Sequence, residues 1–236
     1  MNNRVIYKIK KLILFGAFII FTNILTINLF KKVDFKNIYI NGADFLSVND
    51  IIENTSLQLP RKLIFIKTKL MEKELKQNIS LKQISITRQI FPFGLIIKIQ
   101  ARKPIAYAEK EENGKKIKGF IDQDGYFVKD KYLPERENLI FPIKIFGWKK
   151  DYKKLISLII KTYKETDDLE AIKISAEGFI TMEEKFLKKI FLGFKTQEIG
   201  EKLNLVFDIK EQLKKQKIRK KIKSLDLTDL DNPKIK

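Results

Sequence analysis

The sequence predicts an α+β protein in which one membrane-spanning helix precedes two domains that mix helices and strands. Three patterns predict it: an uninterrupted apolar run near the amino terminus, short segments that alternate apolar and polar residues, and segments with apolar residues at helical spacing. The 236 residues leave room for two small domains beside the helix. We expect a tail at residues 1–11, a transmembrane helix at 12–30, a first domain at 34–104 and a strand-rich second domain at 105–236.

The apolar run at residues 12–30 contains no Lys, Arg, Asp or Glu. As a helix it would span roughly 28 Å, about the thickness of the hydrocarbon core of a bilayer. A buried core helix usually keeps a polar stripe and is shorter. A signal peptide has a shorter apolar core and a small-residue cleavage site, which does not follow this run. We therefore interpret the run as an uncleaved anchor and keep these two readings as alternatives.

Basic residues flank the anchor on both sides and are slightly denser before it. They are Arg4, Lys8, Lys10 and Lys11 before the run, and Lys31, Lys32 and Lys36 after it. Cytoplasmic flanks are enriched in such residues, and long following domains translocate with little regard to charge. We expect a cytoplasmic amino terminus and exported domains on the periplasmic side of the inner (plasma) membrane.

The composition excludes several classes of function. The chain has no His and no Cys, so a Ser-His-Asp triad, the common zinc sites and disulfides are excluded. The net charge of +19 suggests nucleic acid as a partner, but the lysines are spread from end to end and form no focused patch. We predict a solvated Lys-rich surface, with no nucleic acid, small-molecule substrate, cofactor or metal bound.

The first domain is predicted as strand, helix, helix, strand, strand. A strand at 35–40 ends in the turn Asn41-Gly42, and Ser47 caps a short helix together with Asp50. Thr68 is predicted to cap a second helix. The apolar positions of that helix are Leu70, Met71 and Leu75. Two amphipathic helices on one face of a three-stranded sheet would bury both apolar sets.

The last two strands of this domain form a hairpin around residues 91–94, where Pro92 stops the pairing and Gly94 permits the reversal. The expected apolar faces are Ile84, Ile86 and Ile90 in the first strand, and Leu95, Ile97 and Ile99 in the second. The alternation of apolar and polar residues in both strands favours a sheet with one buried face.

A junction follows these strands, in which Arg102, Pro104 and Ala106 fit an R-x-P-x-A pattern. With the preceding element order and the anchor, it resembles the βααββ POTRA domain of the FtsQ (DivIB) family of bacterial cell-division proteins. In that family such an element joins the POTRA domain to a second domain. Ala101 stands where the family commonly has an acidic residue.

The second domain is predicted to open with a hairpin around Gln123-Asp124-Gly125, since Asp-Gly between apolar runs is a strong turn signal. Asp122, Asp124 and Gly125 could also suggest a calcium loop, but the ligand spacing and the closing Glu are missing. Ile121, Asp122 and Gly125 resemble the element that opens the family's second domain, and Pro142 and Gly147 resemble its P-x-x-x-G connection with one extra residue.

Further elements of the second domain follow from periodicity. Helices are predicted at 151–164 and from Gly200, and strands at 171–175, 178–182, 188–194 and 224–228, with 234–236 as a possible short strand. The expected buried faces are Leu155, Leu158, Ile159 and Thr162 in the first helix, and Leu203, Val206, Ile209 and Leu213 in the second. The basic run at 214–221 complements the helix dipole, which we prefer to a ligand site. The segment 224–228 resembles the family's terminal IDLR element, with Thr228 in place of Arg.

The resemblance implies a non-enzymatic scaffold at the division septum that joins small single-span partners of the FtsB (DivIC) and FtsL type and helps to bring in the septal wall-synthesis machinery. Independently of the resemblance, a sheet that ends in a short strand exposes backbone groups to which a partner segment can add. The expected binding residues are Ser224, Leu225, Asp226, Leu227, Thr228, Lys234, Ile235 and Lys236. Unpaired terminal residues are the simpler explanation of the same segment.

Two other classes of function stay open. An anchored cell-wall enzyme would need paired carboxylates, and Glu183 and Glu184 are adjacent on a predicted strand, so they point to opposite faces. A POTRA-containing chaperone or secretion component would handle extended chains, but neither repeated POTRA units nor a following barrel is visible in the sequence.

Overall fold

The computed structural model describes residues 3–133, 141–164, 167–216 and 222–236. The chain forms two compact units, Met1–Ala101 and Arg102–Lys236. The boundary falls a few residues before the position expected from the sequence.

Helix α1, Asn3–Phe30, contains the predicted anchor. Within the described residues it is the one helix long and apolar enough to cross a membrane, over Lys10–Phe30. Three of its polar side chains donate to carbonyl oxygens one turn earlier: Thr22 and Asn23 to Ile19, each over 2.9 Å, and Thr26 to Thr22 over 2.8 Å. These bonds explain how polar residues fit into an otherwise apolar helix.

The rest of the first unit contains a small sheet and two helices. Its elements are β1 Lys32–Val33, β2 Ile38–Asn41, α2 Val48–Glu53, β3 Arg61–Lys62, α3 Thr68–Asn78, β4 Gln83–Gln89 and β5 Gly94–Gln100. The sheet order is β2-β5-β4, with β2 parallel and β4 antiparallel to β5. The predicted strand–helix–helix–strand–strand order is therefore confirmed. The short antiparallel pair β1–β3 is an addition that the sequence did not indicate.

Of three predicted helix or strand starts in this unit, one is confirmed and two are wrong. The reciprocal capping box of Ser47 and Asp50 at α2 is confirmed. The strand expected from Phe35 is wrong at its beginning, because Asp34 caps a 3₁₀ turn over Phe35–Asn37. The cap expected at Thr68 is also wrong, because Thr68 is already the first helical residue.

The core of the first unit lies between its sheet and helices. Leu95, Ile97 and Ile99 of β5 are buried, as predicted. Met71 and Leu75 of α3 are buried as well, whereas Leu70 is 40% exposed and faces outward, contrary to expectation. The helix therefore buries a narrower stripe than the sequence pattern indicated.

The second unit is built on one long sheet. Its elements are β6 Pro104–Glu112, β7 Lys115–Asp122, β8 Phe127–Lys129, β9 Lys144–Phe146, α4 Lys153–Tyr163, β10 Leu169–Ile174, β11 Ile180–Glu184, β12 Lys188–Gly193, α5 Ile199–Lys215, β13 Ser224–Asp226 and β14 Lys234–Ile235. Over the described ranges the strand order is β14-β13-β12-β11-β10-β9-β6-β7-β8. Strand β9 lies parallel to both β6 and β10, so it joins the two halves of the sheet. The sequence did not predict β9.

Helices α4 and α5 supply much of the core of this unit. On α4 the buried apolar residues are Leu155, Ile156, Ile159, Ile160 and Tyr163. The predicted face was shifted, because Leu158 is 44% exposed and Thr162 is only half-buried. On α5 the prediction is confirmed for Leu203, Val206 and Leu213, while Ile209 is half-buried.

Candidate partner-binding site

The β13–β14 pair forms one end of the long sheet. Strand β13 lies parallel to β12 on one side and antiparallel to β14 on the other. Within the described part of the chain, no strand pairs with the outer side of β14. The unpaired edge of the sheet is therefore the backbone of β14.

The register shows which backbone groups of β14 point outward. Lys236 donates its N–H to the carbonyl of Ser224 over 2.9 Å, and Ser224 donates to Lys236 over 3.1 Å. Leu225 lies opposite Ile235. In an antiparallel ladder the residue pair next to a hydrogen-bonded pair does not bond across the ladder. The N–H and C=O of Ile235 thus point away from β13, to the free edge.

The predicted binding residues lie together, but they differ in accessibility. Leu225 and Leu227 are fully buried in the core. Ser224 and Asp226 are half-buried within β13, and Thr228 is exposed at its end. The three residues of the outer segment, Lys234, Ile235 and Lys236, are exposed. Because the backbone of β13 is already paired on both sides, we narrow the candidate edge to β14.

Asp226 shapes the turn that leads from β13 toward β14. Its Oδ1 accepts hydrogen bonds from the hydroxyl of Thr228 over 2.7 Å and from the Thr228 N–H over 3.0 Å. These hydrogen bonds, aided by the charges of Lys236 and Lys234, hold the pKa of the Asp226 carboxyl below its ordinary value. Thr228, in place of the Arg of the IDLR element, therefore has a local role in the turn.

Lys202, on helix α5, binds the same turn through its side chain. Its side chain is buried, and its Nζ donates to the carbonyl of Leu192 over 2.9 Å and to that of Thr228 over 3.1 Å. This residue was not predicted from the sequence, although Lys202 lies four residues before Val206 and so on the same helical face. A Lys within an apolar stripe was the available signal.

A second buried lysine of α5, Lys210, binds one carboxylate just before β10 and another at the end of β11. Lys210 Nζ binds Asp168 and, over 2.8 Å, Glu184, whose other oxygen accepts the N–H of Leu187 over 2.6 Å. Burial lowers the pKa of Lys210, but the bonds to Asp168 and Glu184 outweigh it and raise that pKa overall. Burial, with the charges of these two carboxylates, raises the pKa of Tyr163. The arrangement is a buried ion-pair cluster.

This cluster also bears on the carboxylates considered for an anchored enzyme. Glu184 is fully buried and engaged by Lys210 and Leu187, while Glu183 forms an ion pair with Lys173. The two carboxylates are occupied by different structural partners.

Asp122 of the suggested calcium loop is likewise engaged: its Oδ1 accepts the N–H groups of Asp124 and Tyr126, over 3.0 and 2.8 Å.

The predicted junction residues occupy the start of the second unit. Arg102 forms a buried ion pair with Asp122 Oδ2, and its guanidinium stacks on the ring of Tyr126 at 3.7 Å. Pro104 begins β6 opposite Asp122, and Ala106 is fully buried. Arg102 thus fixes the chain to the β7–β8 hairpin through one carboxylate and one ring.

The same hairpin receives a second cation. Lys153 Nζ lies 3.6 Å from the centroid of the Tyr126 ring. Hydrogen bonding with Lys153 and its charge lower the pKa of Tyr126.

Of the basic run at 214–221, Lys214 and Lys215 belong to the end of α5, and Lys215 pairs with Glu211 over 3.1 Å. Residues 217–221 lie outside the described residues.

Comparison with known proteins agrees with the element order of the first unit. A family model described as POTRA domain, FtsQ-type, matches residues 33–102. No curated protein matches the chain. Proteins of the FtsQ-type POTRA family are non-enzymatic components of cell division. Residues 33–102 are thus similar to an FtsQ-type POTRA domain, and the apolar helix that precedes them supports an FtsQ/DivIB-like protein.

Proposed function

We propose that the chain is a membrane-anchored scaffold of the divisome, which recruits and links division proteins during septum formation without catalysing a reaction. In this proposal the amino-terminal tail is cytoplasmic, both units are exported, and the protein gathers at the septum. Its partners are FtsB/DivIC-like and FtsL-like single-span proteins, with the septal wall-synthesis machinery beyond them.

The free edge of β14 is the observation that carries this proposal. An extended segment of a partner ectodomain can pair with the outward N–H and C=O of Ile235 and continue the long sheet by one strand. Lys234 and Lys236 flank Ile235 on the exposed edge, so acidic partner residues would complement the site.

Membrane anchoring makes a weak contact sufficient. Each added backbone hydrogen bond contributes only about 0.5–1.5 kcal/mol net. Two proteins held in one membrane, however, experience an effective local concentration that reaches roughly the mM range for short tethers. A short edge strand can therefore recruit a partner that would dissociate readily in free solution.

Deletion of residues 232–236 from the full chain tests the proposal. We expect loss of capture of an FtsB/DivIC-like partner from the membrane, while the chain stays folded by circular dichroism. Exchange of Lys234 and Lys236 for Gln keeps the strand and removes only its charge, so it should weaken capture less than the deletion does. Unchanged capture by the deleted chain would refute the placement of the site, and uniform envelope fluorescence of a fused protein through growth would contradict the septal role.

A further inference from the structure

The part of the first unit next to the membrane anchor exposes apolar and basic side chains together. Its exposed apolar residues are Phe35, Ile64, Phe65 and Phe91, which are between 38% and 64% exposed. Its exposed basic residues are Lys31, Lys32, Lys36, Arg61 and Lys62. We call these nine residues the membrane-proximal tip. Soluble domains rarely gather several exposed aromatic side chains at one end without a partner for them.

Contacts within the first unit hold this tip against the end of α1. Leu63 donates its N–H to the carbonyl of Lys31 over 3.1 Å, directly after the last residue of the apolar span. The Nζ atom of Lys62 lies 5.5 Å from the centroid of the Phe30 ring, and that of Lys31 lies 5.0 Å from the centroid of the Phe93 ring. The segments around Leu63 and Phe93 therefore both meet the chain where it leaves the membrane.

The tip residues lie in three segments: residues 31–36, residues 61–65, and the β4–β5 hairpin with Phe91. These segments also contact one another. The 3₁₀ turn Phe35–Asn37 approaches the β4–β5 hairpin so closely that a side chain at Gly94 would collide with the carbonyl of Asn37. Arg88, at the end of β4, donates through Nη2 to the carbonyl of Ile66 over 2.6 Å. The turn Leu63–Phe65 immediately precedes Ile66. The exposed side chains of the tip are thus carried by segments that contact one another and form one surface.

We propose that the membrane-proximal tip binds the surface of the bilayer that α1 spans, with preference for anionic lipid. Aromatic side chains are favoured at the boundary between headgroups and acyl chains. Lysine and arginine can place their apolar stems at that boundary and their charges among anionic headgroups. Asp34 is the acidic residue among residues 31–36. Its carboxylate already accepts the N–H of Phe35 over 2.8 Å and caps the 3₁₀ turn Phe35–Asn37.

Continuity with the anchor selects a lipid surface over a protein as the occupant. Lys31 follows the apolar span directly, and adjacent Cα atoms are only about 3.8 Å apart. The tip is therefore held at the level where headgroups begin, whether or not a partner is present. Bound in this way, the first unit would stand on the membrane in a fixed orientation.

Spin labels on the full chain test the proposal, and the absence of native cysteine allows single-site labelling. We place one label at Phe65→Cys or Phe91→Cys. The control is Gln77→Cys, an exposed site that lies roughly 14 Å along α3 from its start. Each variant is reconstituted into bilayers of phosphatidylcholine, with or without phosphatidylglycerol. Collision of the label with a water-soluble nickel complex is then compared with its collision with oxygen.

We expect several-fold less nickel collision at both tip sites than at the Gln77 site when phosphatidylglycerol is present. Exchange of the five basic tip residues for Gln should remove much of this protection. Equal nickel collision at tip and control sites would overturn the proposal. Equal protection in pure phosphatidylcholine would overturn the preference for anionic lipid. Protection that arises only on addition of a partner protein would identify a protein interface and overturn the assignment to lipid.

Discussion

The ammonium of Lys202 lies 3.1 Å from the carbonyl oxygen of Thr228, so a side chain of α5 holds the residue at which the chain turns from β13 toward β14. The same ammonium binds the carbonyl of Leu192, at the end of β12. One buried lysine therefore links the helix, the inner strands and the turn that leads to the candidate binding edge.

Exchange of Lys202 for Met should loosen this turn. The carbonyls of Leu192 and Thr228 lose their shared donor, and a buried polar group without a partner costs about 1–3 kcal/mol. We expect a comparable fall in the free energy of unfolding of the full chain in detergent, together with weaker partner capture. Lys215→Met, at an exposed site on the same helix, is the control and should change neither quantity. Equal stability of the Lys202 variant and the native chain would contradict the role assigned to Lys202.

Removal of the Arg102 side chain should destabilise the start of the second unit. Arg102→Met leaves the Asp122 carboxylate buried without its cation, and breaking such a pair costs about 3–5 kcal/mol. Urea unfolding of the full chain measures this loss. The double variant with Asp122→Asn should recover part of it, because Asn removes the charge and keeps an oxygen that can accept the N–H groups of Asp124 and Tyr126. A double variant no more stable than Arg102→Met would contradict the ion pair as the cause.

The stability of the second unit should fall in alkaline solution. The pKa values of Lys210 and Tyr163 are raised in the folded protein above their ordinary values of 10.5 and 10.0, and burial raises the pKa of Tyr107 to about 12 with help from Glu109. A raised pKa means that the folded state binds protons more tightly. The resulting stability is complete below about pH 10 and is lost as the pH rises toward the folded pKa values.

Urea unfolding midpoints at pH 9 and pH 11 test this expectation. The midpoint should be lower at pH 11, and the difference should shrink in Tyr163→Phe, which cannot ionise at that position. The lowered pKa of Tyr126 acts in the opposite direction, so the same comparison is made in Tyr126→Phe, where a midpoint independent of pH would contradict the raised pKa values.

The elements set by local pattern were predictable, and those set by tertiary pairing were not. The Ser47–Asp50 capping box, the hairpin at Gly125 and the apolar alternation of β5 all depend on near neighbours in sequence. Strand β9 has three residues and exists because β6 and β10 flank it. No local period marks such a strand.

The position of the sheet edge was predictable, but the order of its two strands was not. The sequence indicated that residues 224–228 and 234–236 form the end of a sheet. It could not show that the outer segment covers the inner one, since register depends on the turn between them. The buried lysines 202 and 210 were missed because lysine usually signals a solvated face, and only their carbonyl and carboxylate partners, far away in sequence, explain their burial.

The most direct test of the proposed scaffold compares Ile235→Pro with Ile235→Ala in the full chain. Both replace Ile by a smaller apolar residue, but only Pro removes the N–H that points to the free edge, and neither removes a bond of the β13–β14 ladder. We measure binding of an FtsB/DivIC-like ectodomain to each variant held in a bilayer disc. Loss of one backbone hydrogen bond should weaken binding by Ile235→Pro roughly two- to twelvefold relative to Ile235→Ala. Equal affinity of the two variants would show that the partner does not pair with the β14 edge.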